Sequence, residues 1–145
     1  MKLPAKQRYA VRIVVNTARN GVDRPARKKE IAAAEDIPAD YVEQICVRLK
    51  AGGILKSHRG RDGGFSLARP ASGITVSDVL RAMDGDIALA PCMEGDCRRR
   101  SICVTRKVWE KANAALEAVF SGTTIAELAE EDRKLAASGA MSFEI

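Results

Sequence analysis

The sequence has few aromatic residues: one Trp, two Tyr and three Phe, or 4% of its 145 residues. Hydrophobic residues nevertheless make up 46%, so we expect a small, aliphatic and alanine-rich core. Such a core is marginal by itself and would gain from an apolar face shared with a second copy of the chain. The sequence also has no apolar run long enough to cross a bilayer and no basic-then-apolar leader. These absences predict a soluble, cytoplasmic protein without a membrane partner.

Signatures of catalysis are missing as well. The chain has one histidine, no Gly-rich nucleotide-binding fingerprint and no convincing acid and base pair. We therefore expect a binding or regulatory protein and not an enzyme. A redox enzyme is the least favoured alternative.

Positive charge is concentrated in the first half of the chain. Residues 1–69 contain fifteen Lys or Arg and seven Asp or Glu, whereas residues 70–145 contain nine and twelve. The first half therefore carries a net charge of +8 and the second half −3. A basic half of this kind would attract a polyanion, provided that the fold places the charges where a duplex could meet them.

Three helices are predicted in the basic half. The first begins near Pro4 and ends at Asn20-Gly21, the second covers residues 27–34, and the third follows the break at residues 36–38 and ends at Gly52-Gly53. Apolar residues at helical spacing define the inward faces of the first and third helices: Tyr9, Ala10, Ile13, Val14, Thr17 and Ala18, then Val42, Ile45 and Leu49.

A β-hairpin is predicted directly after the third helix. Residues 54–59 and 65–70 would form its strands around a turn rich in Gly and Asp at residues 60–64. Three helices followed by a hairpin is the order of a winged helix-turn-helix. The predicted fold class is therefore mainly α with a small β-hairpin wing, plus a long C-terminal dimerisation helix.

The chain divides into four predicted segments. Residues 1–83 form the winged helix-turn-helix domain, which ends with a helix opened by the capping box of Thr75 and Asp78. Residues 84–103 form a cysteine-containing loop, residues 104–138 the dimerisation helices and residues 139–145 a C-terminal tail. The long helix over about residues 102–121 carries two adjoining apolar rows, which suggest a dimer seam: Val104, Val108, Ala112, Ala115 and Val119, then Trp109, Leu116 and Phe120.

The predicted DNA-binding residues lie on the third helix and on the hairpin. In this motif the third helix would lie in the major groove, while the wing contacts the backbone or the minor groove. Because Glu can accept from cytosine and Gln can pair with adenine, Glu43 and Gln44 are predicted to read bases. Solvated surface residues are the plain alternative for each position taken alone, but their joint placement favours double-stranded DNA. The full set is Asp40, Tyr41, Glu43, Gln44, Arg48, Lys56, His58, Arg59 and Arg61.

Three cysteines lie within twelve consecutive residues of an irregular segment, at Cys92, Cys97 and Cys103. An iron–sulfur cluster needs several thiolates on a backbone that is free to fold around it. The arginines at 98–100 would lower the thiol pKa values and offset the negative charge of a thiolate cluster. The fourth ligand is open: Glu94, Asp96, a residue near the N-terminal helix of a partner subunit, or an exogenous ligand.

Other uses of these cysteines are weighed against the cluster. Disulfides are disfavoured because there is no export signal, and zinc is disfavoured because there is no close Cys pair and no nearby histidine. A metal-free thiol switch is the most serious alternative. Cys46, on the third helix, is predicted to be a small core residue.

The sequence resembles the IscR/NsrR/RirA group of bacterial winged-helix regulators over nearly its whole length. The most specific stretch is the wing, residues 59–68 (RGRDGGFSLA). The other matching stretches, besides the three cysteines, are residues 8–12 (RYAVR), 41–45 (YVEQI), 49–55 (LKAGGIL) and 123–128 (TTIAEL).

The resemblance implies a homodimeric repressor or activator that binds a palindromic operator and senses iron–sulfur status, iron, redox state or nitric oxide. It implies an iron–sulfur cluster on Cys92, Cys97 and Cys103, with 2Fe-2S favoured over 4Fe-4S, and DNA contacts at Glu43, Gln44 and Arg59. Two positions depart from the group. Arg106 stands where IscR has a histidine ligand, and Arg8 stands in the region where some NsrR-like members have an acid. A cluster-free regulator controlled by a thiol switch or a metabolic-enzyme partner is the alternative.

Overall fold

The computed structural model describes residues 2–143, with side chains described through residue 139. Within this range the chain forms six α-helices and one two-stranded antiparallel sheet. The helices and strands are, in chain order, α1 (Ala5–Asn20), α2 (Lys28–Glu35), α3 (Ala39–Ala51), β1 (Leu55–His58), β2 (Gly64–Leu67), α4 (Val76–Asp84), α5 (Arg106–Gly122) and α6 (Ile125–Phe143). This order confirms the predicted class of a mainly helical protein with a small β-hairpin.

Helices α2 and α3 are joined by a tight turn. Asp36 adopts the left-handed conformation (φ 53°) directly after α2, and Pro38 precedes the first residue of α3. Asp tolerates this conformation better than most residues do, and Ile37 fills the core between the two helices. The result is the helix-turn-helix that the break at residues 36–38 predicted.

The wing is a short hairpin that docks on the chain before α2. Leu55 pairs with Leu67 at one end and His58 with Gly64 at the other. Beyond this register, Ala26 and Phe65 exchange two main-chain hydrogen bonds of 2.8 Å each. The loop before α2 therefore acts as a third partner of the hairpin and fixes the wing beside the helix-turn-helix.

The core lies between α1, α3, α4, the hairpin and the start of α6. Its buried residues include every inward position predicted for α1 and α3 except Tyr9, which is half-buried at the rim. Cys46 is fully buried among them, as predicted. Ile125 and Ala129 of α6 belong to the same core, so the last helix begins inside the packing of α1, α3, α4 and the hairpin.

Two predicted boundaries change in the second half. Helix α5 begins at Arg106 instead of near residue 102, because residues 91–105 form a short 3-10 turn and further turns. Helix α6 continues through Phe143, so residues 139–143 of the expected tail are helical, and residues 144–145 lie outside the described residues. Within residues 2–143, no helix is both long and apolar enough to span a membrane.

Candidate DNA-binding surface and cysteine loop

Helix α3 presents an exposed polar face at its N-terminal end. Val42, Ile45 and Leu49 hold the opposite face in the core, each at most 1% exposed. This anchoring leaves Asp40, Glu43 and Gln44 directed to solvent. The second helix of a helix-turn-helix reads base edges with such an exposed face, and base contact by these three residues stays a prediction.

Glu43 is engaged in an ion pair that crosses from α3 to α2. Its carboxylate lies 2.9 Å from Lys28 Nζ, and both side chains remain partly exposed. The hydrogen bond and the charge of Glu43 raise the pKa of Lys28. The side chain of Gln44, by contrast, makes no hydrogen bond within the described part of the chain, so its side-chain amide is free to bind a ligand.

Tyr41 and Arg48 have other neighbours. The Tyr41 ring packs edge to face on Tyr9, with ring centroids 5.8 Å apart, and Tyr41 is half-buried against the core. The Arg48 guanidinium donates to the main-chain oxygen of Met83 at 2.8 Å and lies 3.6 Å from Asp84. The structure thus directs Arg48 towards the end of α4, away from Glu43 and Gln44, and its contact with DNA stays a prediction.

The basic side chains of the wing are exposed on and beside the hairpin. Arg59 and Arg61 lie on its turn, and Lys56 lies on β1. The His58 ring is hydrogen-bonded to Ser66 Oγ across the strands at 2.7 Å. This bond gives His58 a structural partner, whereas Arg59 and Arg61 make no ion pair within residues 2–143.

Three consecutive cations at the start of α2 were not among the predicted DNA-binding residues. They are Arg27, Lys28 and Lys29, in the first turn of a short helix. Positive charge is unfavourable at a helix N-terminus, where the helix dipole and free N–H groups attract anions. The three consecutive basic residues at 27–29 are visible in the sequence and could have indicated an anion-binding site. Such a cluster is stabilised when an anion such as a phosphate lies beside it.

The cysteine loop is accessible and lacks regular structure apart from one turn. Cys92 lies in the 3-10 turn Pro91–Met93 and is exposed, while Cys97 and Cys103 are partly exposed. All three are free thiols. Within the described residues, however, no three His, Cys, Asp or Glu side chains converge on a common metal position. The loop would have to close further before its thiols could share a metal.

Cys103 lies three residues before α5 and next to a hydroxyl group. Its thiol is 3.2 Å from Thr105 Oγ1. This hydrogen bond, followed by that of the Arg106 main-chain N–H, lowers the pKa of Cys103. The Arg106 guanidinium also donates to the main-chain oxygen of Cys92 at 3.0 Å. Sequence reasoning noted Arg106 only as the replacement of a histidine and did not predict this contact.

Helix α5 has a broad exposed apolar face. Val104, just before the helix, is 79% exposed, and Val108, Val119 and Trp109 also lie open to solvent. On its other side, Glu117 accepts hydrogen bonds from Ser77 and Arg81 of α4 at 2.7 and 2.6 Å. Polar contacts thus attach α5 to the domain, while much of its apolar surface is left uncovered.

The chain matches a family model over residues 3–131: Rrf2, described as an iron-dependent transcriptional regulator. It is similar to the HTH-type transcriptional regulator IscR of Klebsiella pneumoniae, with 31% identity over 140 residues, covering 96% of this chain and 86% of the relative.

Two solved structures share the fold. IscR of T. potens superposes with a TM-score of 0.76 and 29% identity, covering 91% of this chain and 88% of that one. CymR, the global cysteine regulator of B. subtilis, superposes with a TM-score of 0.76 and 28% identity, covering 90% and 98%.

Proposed function

Because the chain belongs to the Rrf2 family of transcriptional regulators, we propose that it is a homodimeric DNA-binding regulator whose operator affinity depends on an iron–sulfur cluster held by its cysteine loop. The observation that carries the proposal is the joint presence of an exposed reading helix and a loop with three accessible thiols in one chain of this family.

The DNA-binding part rests on the placement of charge. Glu43 and Gln44 of α3 would read base edges, and Arg59 and Arg61 of the wing would contact phosphates or a narrow minor groove. The cations at the start of α2 extend the positive surface beside α3. Lys28 is paired with Glu43. On DNA binding, either Lys28 leaves Glu43 and contacts a phosphate, or the ion pair stays intact and meets the DNA without net charge.

The donor set of the loop fits an iron–sulfur cluster. Cys92, Cys97 and Cys103 would hold it, since thiolates are the ligands of such clusters, and the lowered pKa of Cys103 favours the thiolate that must bind. When bound, the group would supply an iron centre that responds to oxidation or to a small ligand. The chain's contribution is an irregular segment that can bring the thiols together and leave one coordination position to another ligand.

The dimer part rests on the uncovered face of α5. Its apolar residues recur at helical spacing, and Val104, Val108 and Val119 are each more than half exposed. Apolar surface of this extent marks an interaction face, and two copies related by a two-fold axis would cover each other's rows. A dimer would present two reading helices and therefore select a palindromic operator.

Anaerobic purification tests the sensing part. Wild-type protein is expected to be coloured and to contain iron and sulfide, whereas a variant with Cys92, Cys97 and Cys103 changed to Ala should be colourless. Cys46→Ala is the matched control, because it removes a thiol from the core and leaves the loop unchanged. Protein with stoichiometric zinc and no sulfide would refute the cluster.

The coupling between cluster and DNA binding is tested by affinity measurements. The operator used is a DNA duplex that the protein has selected from a random library. Operator affinity is expected to differ by about 5- to 150-fold between the cluster-bearing and cluster-free forms, the usual range of allosteric coupling. Equal affinity in both forms would leave a regulator that is insensitive to the loop.

DNA reading is tested by two substitutions that differ in kind. Glu43→Ala should change the base preference at one operator position, whereas Arg59→Ala should weaken binding evenly across sequences and flatten its dependence on salt. If neither change affects binding, α3 and the wing are not the reading surface.

A cluster-free regulator is the second candidate. It is favoured by the separation of the loop thiols within the described residues and by the likeness to CymR, named a cysteine regulator. This candidate predicts colourless anaerobic protein whose DNA affinity changes on thiol oxidation or on addition of an enzyme partner. The iron and sulfide content of the same preparation distinguishes the two candidates.

A further inference from the structure

Arg106, the first residue of α5, has a largely buried side chain. The side chain is only 10% exposed, although its neighbours Thr105 and Lys107 are exposed. A buried guanidinium is unfavourable unless it is paired and hydrogen-bonded, and a cation in the first turn also opposes the helix dipole. Arg106 therefore occupies a position whose cost other contacts must offset.

The contacts of Arg106 join the two ends of the cysteine loop. Its guanidinium donates to the main-chain oxygen of Cys92 at 3.0 Å and to Glu110 Oε1 at 2.8 Å. Arg106 itself lies three residues after Cys103. Its side chain thus connects the start of α5 to the main chain of Cys92, and Glu110, one turn along α5, orients and neutralises the guanidinium.

We propose that Arg106 is a positioning residue of the cysteine loop, which holds Cys92 beside Cys103 before any cluster is bound. The inference rests on the proposed iron–sulfur site, because it assigns Arg106 a role towards that site. With the Cys92 main chain held at the start of α5, the loop has fewer conformations to search before its thiols can meet. Arg106 fixes the loop in this way as a hydrogen-bond donor and not as a ligand.

The role of the side chain depends on its planar, multiple-donor geometry. Arg can donate from two nitrogens at once to Glu110 and to the Cys92 carbonyl, whereas Lys supplies a single mobile ammonium. Arg106→Lys should therefore retain part of the contact with Cys92 and Glu110, and Arg106→Gln should retain little of it. Lys107, an exposed cation next to Arg106 whose side chain has no hydrogen bond or ion pair in the described part of the chain, provides a matched control for loss of charge.

The first measurement uses full-length, cluster-free protein. Hydrogen exchange is followed at the amides of Met93 and Glu94, which close the turn around Cys92 by bonding to Ala90 and Pro91. Exchange at these amides should be about tenfold faster in Arg106→Gln than in wild type, as expected for loss of a hydrogen bond to a charged group. Lys107→Gln should match wild type.

The second measurement uses reconstituted protein and an iron chelator. The cluster of Arg106→Gln should be lost roughly tenfold faster than that of wild type, with an altered visible circular dichroism spectrum. The cluster of Arg106→Lys should be lost at an intermediate rate, and Lys107→Gln should again match wild type. A general loss of folding would be recognised by a lower melting temperature of the cluster-free variant, and Arg106→Lys then serves as the test variant.

The outcomes separate this inference from the proposed function. Wild-type protein that takes up no iron overturns the cluster, while the exchange experiment still decides whether Arg106 holds the loop. Unchanged exchange in Arg106→Gln overturns the inference. Faster exchange with an unchanged rate of cluster loss also overturns it, because the contact would then have no bearing on the site.

Discussion

Replacement of Gly64 by Ala should detach the wing from the domain. Gly64 has φ +154°, a conformation that L side chains rarely adopt, and a Cβ there would lie 2.7 Å from the carbonyl carbon of Ala26 and nearer still to its oxygen. Real Cβ atoms essentially never approach backbone below 3.0 Å. Strand β2 and the loop before α2 must therefore separate, and this separation breaks the two hydrogen bonds between Ala26 and Phe65.

The size of the effect follows from these contacts. Two main-chain hydrogen bonds contribute about 1 kcal/mol each, and a forced overpacking adds about 1–3 kcal/mol. We expect Gly64→Ala to lower the free energy of unfolding by about 3–5 kcal/mol and the melting temperature by on the order of 10 °C. Operator affinity should fall at temperatures where the variant is still folded, because the wing arginines are no longer held beside α3.

Thermal unfolding followed by circular dichroism, together with fluorescence anisotropy on labelled operator, provides the assay. Gly73→Ala is the control, since a Cβ at Gly73 meets nothing within 4 Å, and it should leave both stability and affinity unchanged. The reasoning is refuted if Gly64→Ala melts within about 2 °C of wild type. It is also refuted if the control loses as much stability.

Three further outcomes are expected. Lys28→Met should reduce operator affinity by the same factor for all sequences, because a phosphate contact is lost. The dependence of affinity on salt concentration should fall by about one released ion. A change in base preference instead would mean that Lys28 acts through Glu43. The pKa of Glu127 is lowered by its hydrogen bonds from Thr124. The stability that Glu127 adds over Glu127→Ala should therefore be complete above about pH 4.3, the unfolded value, and disappear as the pH falls through the lower pKa of the folded protein. Thermal melts at several pH values that show a constant difference between the two proteins would contradict this. Burial, and secondarily the charge of Glu43, raises the pKa of Cys46 to about 12. Iodoacetamide at about pH 8 should therefore alkylate the three loop cysteines and leave Cys46 unmodified in folded protein. Mass spectrometry of the digested protein measures the modification of each cysteine.

Much of the fold could be predicted because it depends on local patterns. Apolar spacing located α1 and α3, and the capping box of Thr75 and Asp78 located α4, whose N-terminus is closed by the expected hydrogen bonds. The Gly- and Asp-rich turn located the wing. Each of these signals lies within a few residues of the element that it specifies, so no knowledge of the fold was needed.

The second half was less predictable, since its local signals are weak or shared with other structures. The segment before α5 has apolar residues at helical spacing, and yet residues 102–105 form turns that place Cys103 beside Thr105. Helix α6 lies in the segment predicted for dimerisation, which stays a prediction, and its first turns also complete the main core through Ile125 and Ala129. Burial of these residues depends on α1 and α4, far away in the sequence.

The candidate sites show the same division at the level of side chains. The exposure of Glu43 and Gln44 could be predicted from their phase on α3. The ion pair of Glu43 with Lys28 and the direction of Arg48 towards Met83 could not, because each joins residues of different helices. Helical phase gives the face of a residue, but only packing between helices gives its partner.

The amino-acid sequence alone determined the basic half, the order of helices and wing, and the three-cysteine loop, because composition and short-range spacing carry this information. Only the tertiary structure decided that the loop before α2 fixes the wing, that α6 begins in the core, and that Arg106 joins the ends of the cysteine loop. These features arise where segments distant along the chain meet. Such contacts depend on how the helices pack in three dimensions and have no periodic signature in the sequence.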